Sequence, residues 1–558
     1  MSLLKKLEVG GTEGLTFKQQ FLKNEDLMPV PPEMRKWGGI NFVCFWISAG
    51  FTVSIWMIAS SMIQLGMSWW QAWISIWLGY GIMGVFLALT AREGAVFHIP
   101  FSVAIRSSFG LFGSLWCTFN RAAMACIWYG VQASIGGDCV RVMLRAIWPS
   151  VNDIPNHLPA WSGTTTRDFM CFFLFWFISL PALWFPVHQI RHLFTVKAFV
   201  VPAAGFAFFA WCIVKAHGLG PIIAQPGTLH GSDLGWAMVI SVVSCISGLL
   251  TIVVNAPDFA SRASTPSAAL LPQIISVPVT FAVISFLGLV VSSSSTVIYG
   301  QPVWSPITLL DMFLDGKPSK GTRFGVWFIS ASFVVAQLGL NISLNSISAG
   351  CDLTSLMPRY INIRRGSYVA AIVGICMLPW NLLKSSNEFT SYLSAYSVFL
   401  SSIVGVMITD YYVVRKGHYR IADLYDLKKD GWYWYTYGIN FRAYAAYVAG
   451  ILVNVVGFVG ATGTKVPLAA TRLYQLSFFT GVSVSAIIYY LLNVAFPVPG
   501  KSDKFEEIDE SHYLEDLDNM DDRTASDLGA ADGSSREDGS VISQKSRNTG
   551  IMGAMPYV

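Results

Sequence analysis

Long apolar segments follow one another through most of the 558-residue chain, and short polar or charged stretches separate them. A run of about 20 apolar residues can cross the hydrocarbon core of a bilayer as one helix. The pattern predicts an all-α membrane protein with about twelve transmembrane helices. The segments are residues 40–65, 69–91, 111–147, 168–186, 190–216, 233–255, 268–295, 322–345, 366–383, 387–413, 441–460 and 475–496.

The polar stretches divide the chain into five parts. An even number of crossings places both termini on one side, and Lys and Arg are more frequent on that side, which predicts cytoplasmic termini. The last part is acidic and lacks the apolar residues of a core, so we expect it to be disordered and accessible to trafficking or turnover machinery. The parts are an N-terminal cytoplasmic segment (1–39), a ten-helix inverted-repeat core (40–413), a cytoplasmic loop (414–440), helices 11 and 12 (441–496) and the acidic tail (497–558).

The composition agrees with a membrane protein and narrows its function. Only 13% of the residues are charged, whereas soluble domains carry about a quarter. Basic residues are scattered between the apolar segments, which argues against nucleic-acid binding. The sequence contains neither a phosphate-binding G-x-x-x-x-G-K-[ST] motif nor a metal-ligand spacing of His or Cys. We therefore expect no metal, no cofactor and no enzymatic activity, and the partners are a small-molecule substrate and the lipid bilayer.

Two spans contain small and polar residues at their centres. Span 1 has them at residues 48–52, and span 6 has them at residues 244–248. Backbone that leaves helical geometry inside a bilayer must be buried in protein or line a watery cavity. These are the first spans of two five-span halves, the position at which inverted-repeat transporters break their helices around a substrate. The alternative is ordinary helix packing through small residues.

Aromatic and amide side chains share helix faces in spans 3 and 8. Trp128 and Gln132 are four residues apart, and so are Asn341 and Asn345, which places each pair on one face. Such a face suits a flat heterocycle, because the aromatic side chain can stack on its ring while the amide hydrogen-bonds to its polar edge. The alternative for both pairs is an interfacial ring with amides that hydrogen-bond neighbouring helices. Lys197 in span 5 is expected to extend its ammonium group to the membrane interface.

Several motifs together make the chain similar to a known family. It resembles the nucleobase–cation symporter 1 family, and within it the fungal uracil, allantoin and uridine permease branch. The resemblance implies a LeuT-type fold, with two inverted five-helix repeats, two further helices and a substrate site at the membrane midplane. The motifs are Asn24–Glu33, Arg106–Gly110, the Trp128 and Gln132 pair, Asn255–Phe259, the Asn341 and Asn345 pair, and Leu378–Trp380.

The resemblance also implies a substrate site. In the family a span 3 Trp stacks on the substrate while a Gln one turn later and a span 8 Asn bind its polar edge. Those positions correspond to Trp128, Gln132 and Asn345, and Asn341 lies one turn before Asn345. A span 1 polar contact falls at Thr52. A related transporter has a second aromatic side chain in span 6, where this chain has Gly248 followed by Leu249.

The same resemblance places a cation site and a gate. The backbone carbonyls of Ser48 and Phe51 and the region of Ala336 and Gly339 correspond to the Na⁺ site of sodium-coupled relatives, which add two span 8 hydroxyls that this chain lacks. Na⁺ prefers hard oxygen ligands, so the coupling ion is expected to be H⁺ rather than Na⁺. Gate candidates in span 10 are Tyr392 and Ser394.

The sequence thus predicts a plasma-membrane secondary active transporter. It would import a nucleobase-like heterocycle (uracil, allantoin or uric acid) by proton symport. The alternatives are a transporter of the same fold for another solute, such as uridine, thiamine or an amino acid, and a nutrient receptor that binds without transporting. An amino-acid site needs a partner for the carboxylate, and the stacking ring and amides of this chain argue against that solute.

Overall fold

The computed structural model describes residues 8–9, 17–22, 27–185 and 191–507, and within these ranges helices account for almost all regular structure. Extended backbone pairs there only in two isolated bridges, Trp37 with Ala263 and Thr436 with Ile439. The long helices are α1 (Gly39–Gly50), α2 (Val53–Gln64), α3 (Trp69–Phe97), α4 (Ser114–Ile147), α5 (Thr166–Trp184), α6 (Arg191–Lys215), α7 (Gly231–Val254), α8 (Pro266–Tyr299), α9 (Lys320–Leu340), α10 (Ile347–Leu356), α11 (Ile363–Cys376), α12 (Ser386–Thr409), α13 (Phe441–Ala461) and α14 (Ser477–Ala495).

The helices begin where the sequence provides caps. Thr165, Thr265, Ser319, Asn362 and Ser385 each accept a hydrogen bond from the backbone N–H three residues later. Such a cap satisfies one of the four backbone donors that the first turn of a helix leaves unpaired. Polar residues at these positions therefore fix the helix starts, while the apolar runs that follow fix the helix lengths.

Helices occupy all twelve predicted span positions. Within the described part of the chain, nine helices are long and apolar enough to cross a membrane by themselves, and the bent pair α1–α2 makes a tenth span. The other two positions hold α4, which is 34 residues long and carries several polar groups, and α11, which has only 14 residues. Ten of the twelve predicted spans thus have the length and composition of a membrane-crossing helix. α4 and α11 occupy the other two positions, but their length and composition alone do not establish them as spans.

The break predicted in span 1 is present, but the one predicted in span 6 is displaced. α1 and α2 are bent by 61°, and between them Thr52 adopts an extended conformation (φ −140°, ψ 150°). α7, in contrast, runs without a break through residues 244–248 and ends at Asn255, where a short helix Ala256–Ala260 begins with Pro257 near its start. The prediction of a break at 244–248 was wrong because small residues there pack closely, so that a Cβ on Gly248 would lie 2.7 Å from Ile58 Cδ1.

Span 8 contains a π-helical segment that the apolar pattern does not reveal. α9 passes into a π-helix at Asn341–Ser346, and α10 continues from it to Leu356. A π turn widens the helix by one residue and is frequent at functional sites. Here it contains both amides, Asn341 and Asn345, that the sequence selects.

An ionic clamp holds a short helix, Pro306–Met312, against the end of α4. Arg141 Nη1 lies 2.7 Å from Asp311 Oδ2, and Arg145 Nη1 lies 2.8 Å from Asp311 Oδ1. Burial raises the pKa of Asp311, but the two guanidinium groups outweigh it and hold that pKa below its ordinary value. The clamp therefore favours the ionised carboxylate.

Residues 415–440 fold around a buried ion pair at the end of α12. Arg415 Nε donates to Asp410 Oδ2 at 3.1 Å, and neither side chain is exposed. Tyr489 OH donates to the other carboxylate oxygen at 2.7 Å, and the guanidinium lies 4.8 Å from the centre of the Tyr433 ring. These partners satisfy charges that would otherwise be costly to bury, and they make the loop an integral part of the fold.

Candidate functional site

A buried cavity lies among span 1, α4, α7 and the π-helical segment of span 8. The break in span 1 contributes polar groups, α4 contributes an aromatic ring and an amide, and α7 contributes a mainly apolar wall. The lining residues are Ala49, Thr52, Ser54, Ile55, Ile58, Arg121, Ala125, Trp128, Gln132, Gly248, Leu249, Thr251, Ile252, Asn255, Phe259, Leu340, Leu344, Asn345 and Ser348. The predicted residues Thr52, Trp128, Gln132, Gly248, Leu249 and Asn345 are thus brought together from four spans.

An aromatic cluster forms the wall at Trp128. The rings of Tyr392 and Tyr396 meet the Trp128 ring nearly edge to face, with centroid distances of 5.8 and 6.4 Å. Tyr396 OH also donates to the carbonyl oxygen of Ser247 in α7. The cluster therefore links α12, α4 and α7, and it fixes the orientation of the Trp128 ring in the cavity.

A short chain of hydrogen bonds orients Gln132. Its Nε2 donates to Ser54 Oγ at 3.2 Å, and Ser54 Oγ lies 3.1 Å from Thr52 Oγ1. Gln132 Oε1 is buried and has no hydrogen-bond partner among the described residues. A buried polar atom without a partner is costly, so Oε1 is a ready acceptor for a ligand N–H group.

The two span 8 amides form a relay. Asn345 Nδ2 donates to Asn341 Oδ1 at 2.9 Å, and Asn341 Nδ2 donates to the backbone carbonyl of Tyr129 at 3.1 Å. Asn345 lines the cavity, whereas the Asn341 side chain is fully buried behind it. Asn341 therefore positions Asn345, and the predicted direct contact of Asn341 with a ligand would require a different side-chain arrangement.

The remaining hydrogen-bonding capacity defines what the cavity can hold. A primary amide carries two N–H donors and one carbonyl acceptor. One donor of Gln132 and one of Asn345 are engaged by protein partners, which leaves each amide a second N–H. Together with the Trp128 ring, these groups suit a flat, neutral ring whose edge alternates N–H and C=O groups.

The residues of the predicted cation site lie at the end of α1 and in α9. Ser48 and Phe51 are half-buried at the end of α1, while Ala336 and Gly339 are buried in α9. Lys197 is only 2% exposed, and its Cδ would lie 2.9 Å from a Cβ on Gly339. The expected extension of Lys197 to the interface is therefore wrong: its side chain fills the space beside the region where the resemblance placed a cation.

The gate candidates differ in their surroundings. Tyr392 packs against Trp128, as described above, and its hydroxyl is buried without a partner in the described ranges. Ser394 Oγ donates to the carbonyl of Thr390 in its own helix at 3.1 Å. Tyr392 is thus in contact with the cavity wall, whereas Ser394 is engaged with α12 itself.

Three features of the cavity escaped the sequence reasoning. Ser54 lies two residues after the predicted contact Thr52, so its position in the first turn of α2 was the available signal. Asn255 lines the cavity at the true break in span 6. Arg121 forms an ion pair with Asp352, both 3% exposed, and also donates to the Ser348 carbonyl at 2.8 Å. No local pattern could pair Arg121 with a residue 231 positions away.

Buried amides and aromatic rings around a cavity, enclosed by apolar helices, are the arrangement of a multi-pass membrane transporter. The chain belongs to the family of permeases for cytosine and purines, uracil, thiamine and allantoin, whose sequence profile matches residues 29–481. This result confirms the predicted family, and it identifies the chain as a transporter rather than an enzyme.

Individual relatives of the chain are transporters of the same family. The chain is 44% identical to the uracil permease of Saccharomyces cerevisiae over 87% of this chain and 78% of the relative. It is 43% identical to the allantoin permease of the same yeast over 88% of this chain and 78% of the relative. A solved structure of Mhp1, a nucleobase–cation symport 1 family transporter in a closed conformation with bromovinylhydantoin bound, is similar with a TM-score of 0.66 and 23% identity over 89% of this chain and all of that one. The fold is therefore of the predicted LeuT type.

Proposed function

We propose that this transporter imports a nucleobase-like heterocycle (uracil, allantoin or uric acid) by proton symport across the plasma membrane. The observation that carries the proposal is the pairing of the Trp128 ring with the amides of Gln132 and Asn345 in one buried cavity. The similarity to the uracil permease and the allantoin permease of yeast supports the same substrate class. Both substrates present alternating N–H and C=O groups to such amides.

The surroundings of Gly339 support coupling to protons. The two hydroxyl ligands of sodium-coupled relatives are missing, and the Lys197 side chain lies against Gly339. A protonated lysine near this region repels a second cation, which disfavours Na⁺. A buried lysine can also bind and release a proton, so Lys197 is the group that would respond to the proton gradient.

Cytoplasmic termini are also part of the proposal. The end of the bundle at which α3 ends and residues 415–440 lie would then face the cytoplasm. The excess of Lys and Arg in the loops on this side supports the orientation. Import would then begin at the opposite end, near the clamp of Asp311 with Arg141 and Arg145.

Radiolabelled uptake in a host that lacks its own permeases tests the substrate. We expect saturable uptake of uracil or allantoin, with competition by unlabelled heterocycles and none by amino acids. A chain that reaches the cell surface but takes up none of uracil, allantoin and uric acid would contradict the proposed substrate class. Counterflow of labelled substrate distinguishes a transporter from a receptor, because a receptor does not exchange substrate across the membrane.

The coupling ion requires its own measurement. Uptake should fall sharply when a protonophore is added, and it should stay unchanged when external Na⁺ is replaced by choline. The opposite result, dependence on Na⁺ with no response to the protonophore, would overturn proton coupling and leave the substrate assignment intact.

A further inference from the structure

A short stretch of the acidic tail is bound to the helix bundle. The carboxylate of Glu507 receives two hydrogen bonds from Arg92 at the end of α3, from Nε at 2.6 Å and from Nη2 at 2.9 Å. Tyr411, in the π-helical turn that follows α12, donates its hydroxyl to the same carboxylate. Bidentate Arg–carboxylate pairs are among the stronger and geometrically more specific ionic contacts.

Further contacts extend the interaction along the segment. The Phe505 ring stacks on the Tyr412 ring with a centroid distance of 6.2 Å and an angle of 19°, and the Arg92 guanidinium lies 5.7 Å from the Phe505 ring centre. The backbone of Lys416 accepts a hydrogen bond from Glu506 N at 2.9 Å. The Lys416 ammonium donates to the Asp503 carbonyl at 2.7 Å.

The arrangement discriminates between two neighbouring glutamates. Glu507 is buried to about four-fifths of its side chain against Arg92, whereas the Glu506 side chain is exposed. Backbone contacts alone would not select one carboxylate over the other. The site therefore recognises an aromatic residue followed, two positions later, by an acidic one.

We propose that Arg92, Tyr411, Tyr412 and Lys416 form a peptide-binding site for an acidic segment of the Phe-x-Glu type, and that residues 503–507 of this chain are its occupant. α3 packs mainly on α7 and α8, while α12 packs mainly on α14, α13 and α7, and α3 and α12 have few contacts with each other. The bound segment consequently ties these two helices together. The segment belongs to the tail that the sequence predicted to be disordered, so that prediction is wrong for residues 503–507, which are bound to the bundle.

Limited digestion of the purified full-length protein by an endoprotease specific for lysine tests the site, because cleavage after Lys504 requires the segment to leave the bundle. Glu507→Gln should raise the rate of this cleavage about tenfold, the effect of losing a partly exposed, bidentate charged contact. Glu506→Gln is the matched control, since it removes the neighbouring carboxylate and should leave the rate within about twofold of the wild type.

A charge exchange makes the test specific for the ion pair. Arg92→Glu and Glu507→Arg should each raise cleavage, and the double variant should recover most of the protection because it restores a pair of opposite charges. The new arginine adds no cleavage site, since the protease does not cleave after arginine. Equal rates for the Glu507→Gln and Glu506→Gln variants, or no recovery in the double variant, would overturn the proposal. If Arg92→Glu fails to give a monodisperse protein, Tyr411→Phe removes the hydroxyl donor alone and should raise cleavage about threefold.

Discussion

The Nδ2 atom of Asn345 donates to the Oδ1 atom of Asn341 at 2.9 Å, across the turn of the π-helical segment that joins α9 to α10. One amide thus faces the cavity, and the other fixes its orientation from behind while it donates to the Tyr129 carbonyl. This hydrogen bond gives the two asparagines different roles, one lining the cavity and one positioning the other. Variants of Asn341 and Asn345 should therefore differ in transport kinetics.

Asn345→Ala should abolish measurable uptake, because it removes the amide that lines the cavity in which we propose the substrate binds. Asn341→Ala should raise the KM about tenfold with a smaller effect on maximal uptake, which corresponds to the loss of one or two positioning hydrogen bonds. Asn454→Ala is the control: its amide is buried in α13 and donates to Gly450, away from the cavity. An Asn341→Ala variant with wild-type KM would show that Asn345 does not depend on this partner.

Trp128→Ala should raise the KM at least about tenfold, because it removes both the stacking surface and its contacts with Tyr392 and Tyr396. Trp128→Phe keeps a ring and should raise the KM by only about threefold. Concentration-dependent uptake with surface-expression controls gives both values. Similar KM values for the two variants would contradict stacking as the role of the ring.

Lys197→Met should abolish concentrative uptake while exchange of labelled for unlabelled substrate continues. Methionine retains most of the apolar volume beside Gly339 but cannot carry a proton. Lys215→Met, in the same helix but beside the Phe313 ring, is the matched control and should accumulate substrate normally. Continued protonophore-sensitive accumulation by the Lys197→Met variant would exclude Lys197 as the coupling group.

Arg121→Met should destabilise the protein strongly, by about 3–5 kcal/mol, because it leaves the Asp352 carboxylate buried without its cationic partner. The double variant Arg121→Met with Asp352→Leu should recover much of that loss, since no buried charge then remains. Thermal unfolding in detergent followed by gel filtration compares the variants. A double variant less stable than Arg121→Met would contradict this account of the pair.

The clamp at Asp311 should make stability depend on pH in a defined direction. Arg141 and Arg145 hold the pKa of Asp311 below its ordinary value, so the carboxylate contributes stability above its unfolded-state pKa. That contribution is lost as the pH falls from the unfolded-state pKa through the folded-state pKa. Asp311→Asn should lower the unfolding temperature at neutral pH and have little effect at the acidic end of the titration. A constant difference across the range would contradict the ionic origin of the clamp.

Local patterns predicted the spans and selected Trp128, Gln132, Asn341 and Asn345 as site candidates, whereas Thr52, Gly248 and Leu249 followed only from the family resemblance. Apolar length located the helices, and the i, i+4 spacing correctly paired Trp128 with Gln132 on one face of α4. The π-helical segment was not predictable, because a π turn depends on packing around the helix rather than on its own residue types. The spacing could therefore show that Asn341 and Asn345 are neighbours, but not that only Asn345 lines the cavity.

The errors in span 6 and at Lys197 share a physical cause. Small residues at 244–248 are compatible with a broken helix and with close packing, and only the neighbouring Ile58 distinguishes the two. A lysine in an apolar helix can extend to the interface or stay buried, depending on what lies opposite. Opposite Lys197 is Gly339, whose missing side chain leaves space for the lysine stem. Which residues face each other across two helices depends on tertiary structure, and neither segment's sequence alone determines it.

The first span also behaves differently from a continuous rod. Only Phe51 and Thr52 separate α1 from α2, and the backbone N–H of Thr52 already bonds to the Gly50 carbonyl at 2.8 Å, within the turn itself. The two halves therefore have an articulated joint, and rotation about these two residues alters the angle between them without breaking the helical hydrogen bonds of either half. Thr52 and Ser54, which line the cavity, lie on the α2 side of this joint, so a swing of α1 would close or open one end of the span and leave these two residues in place.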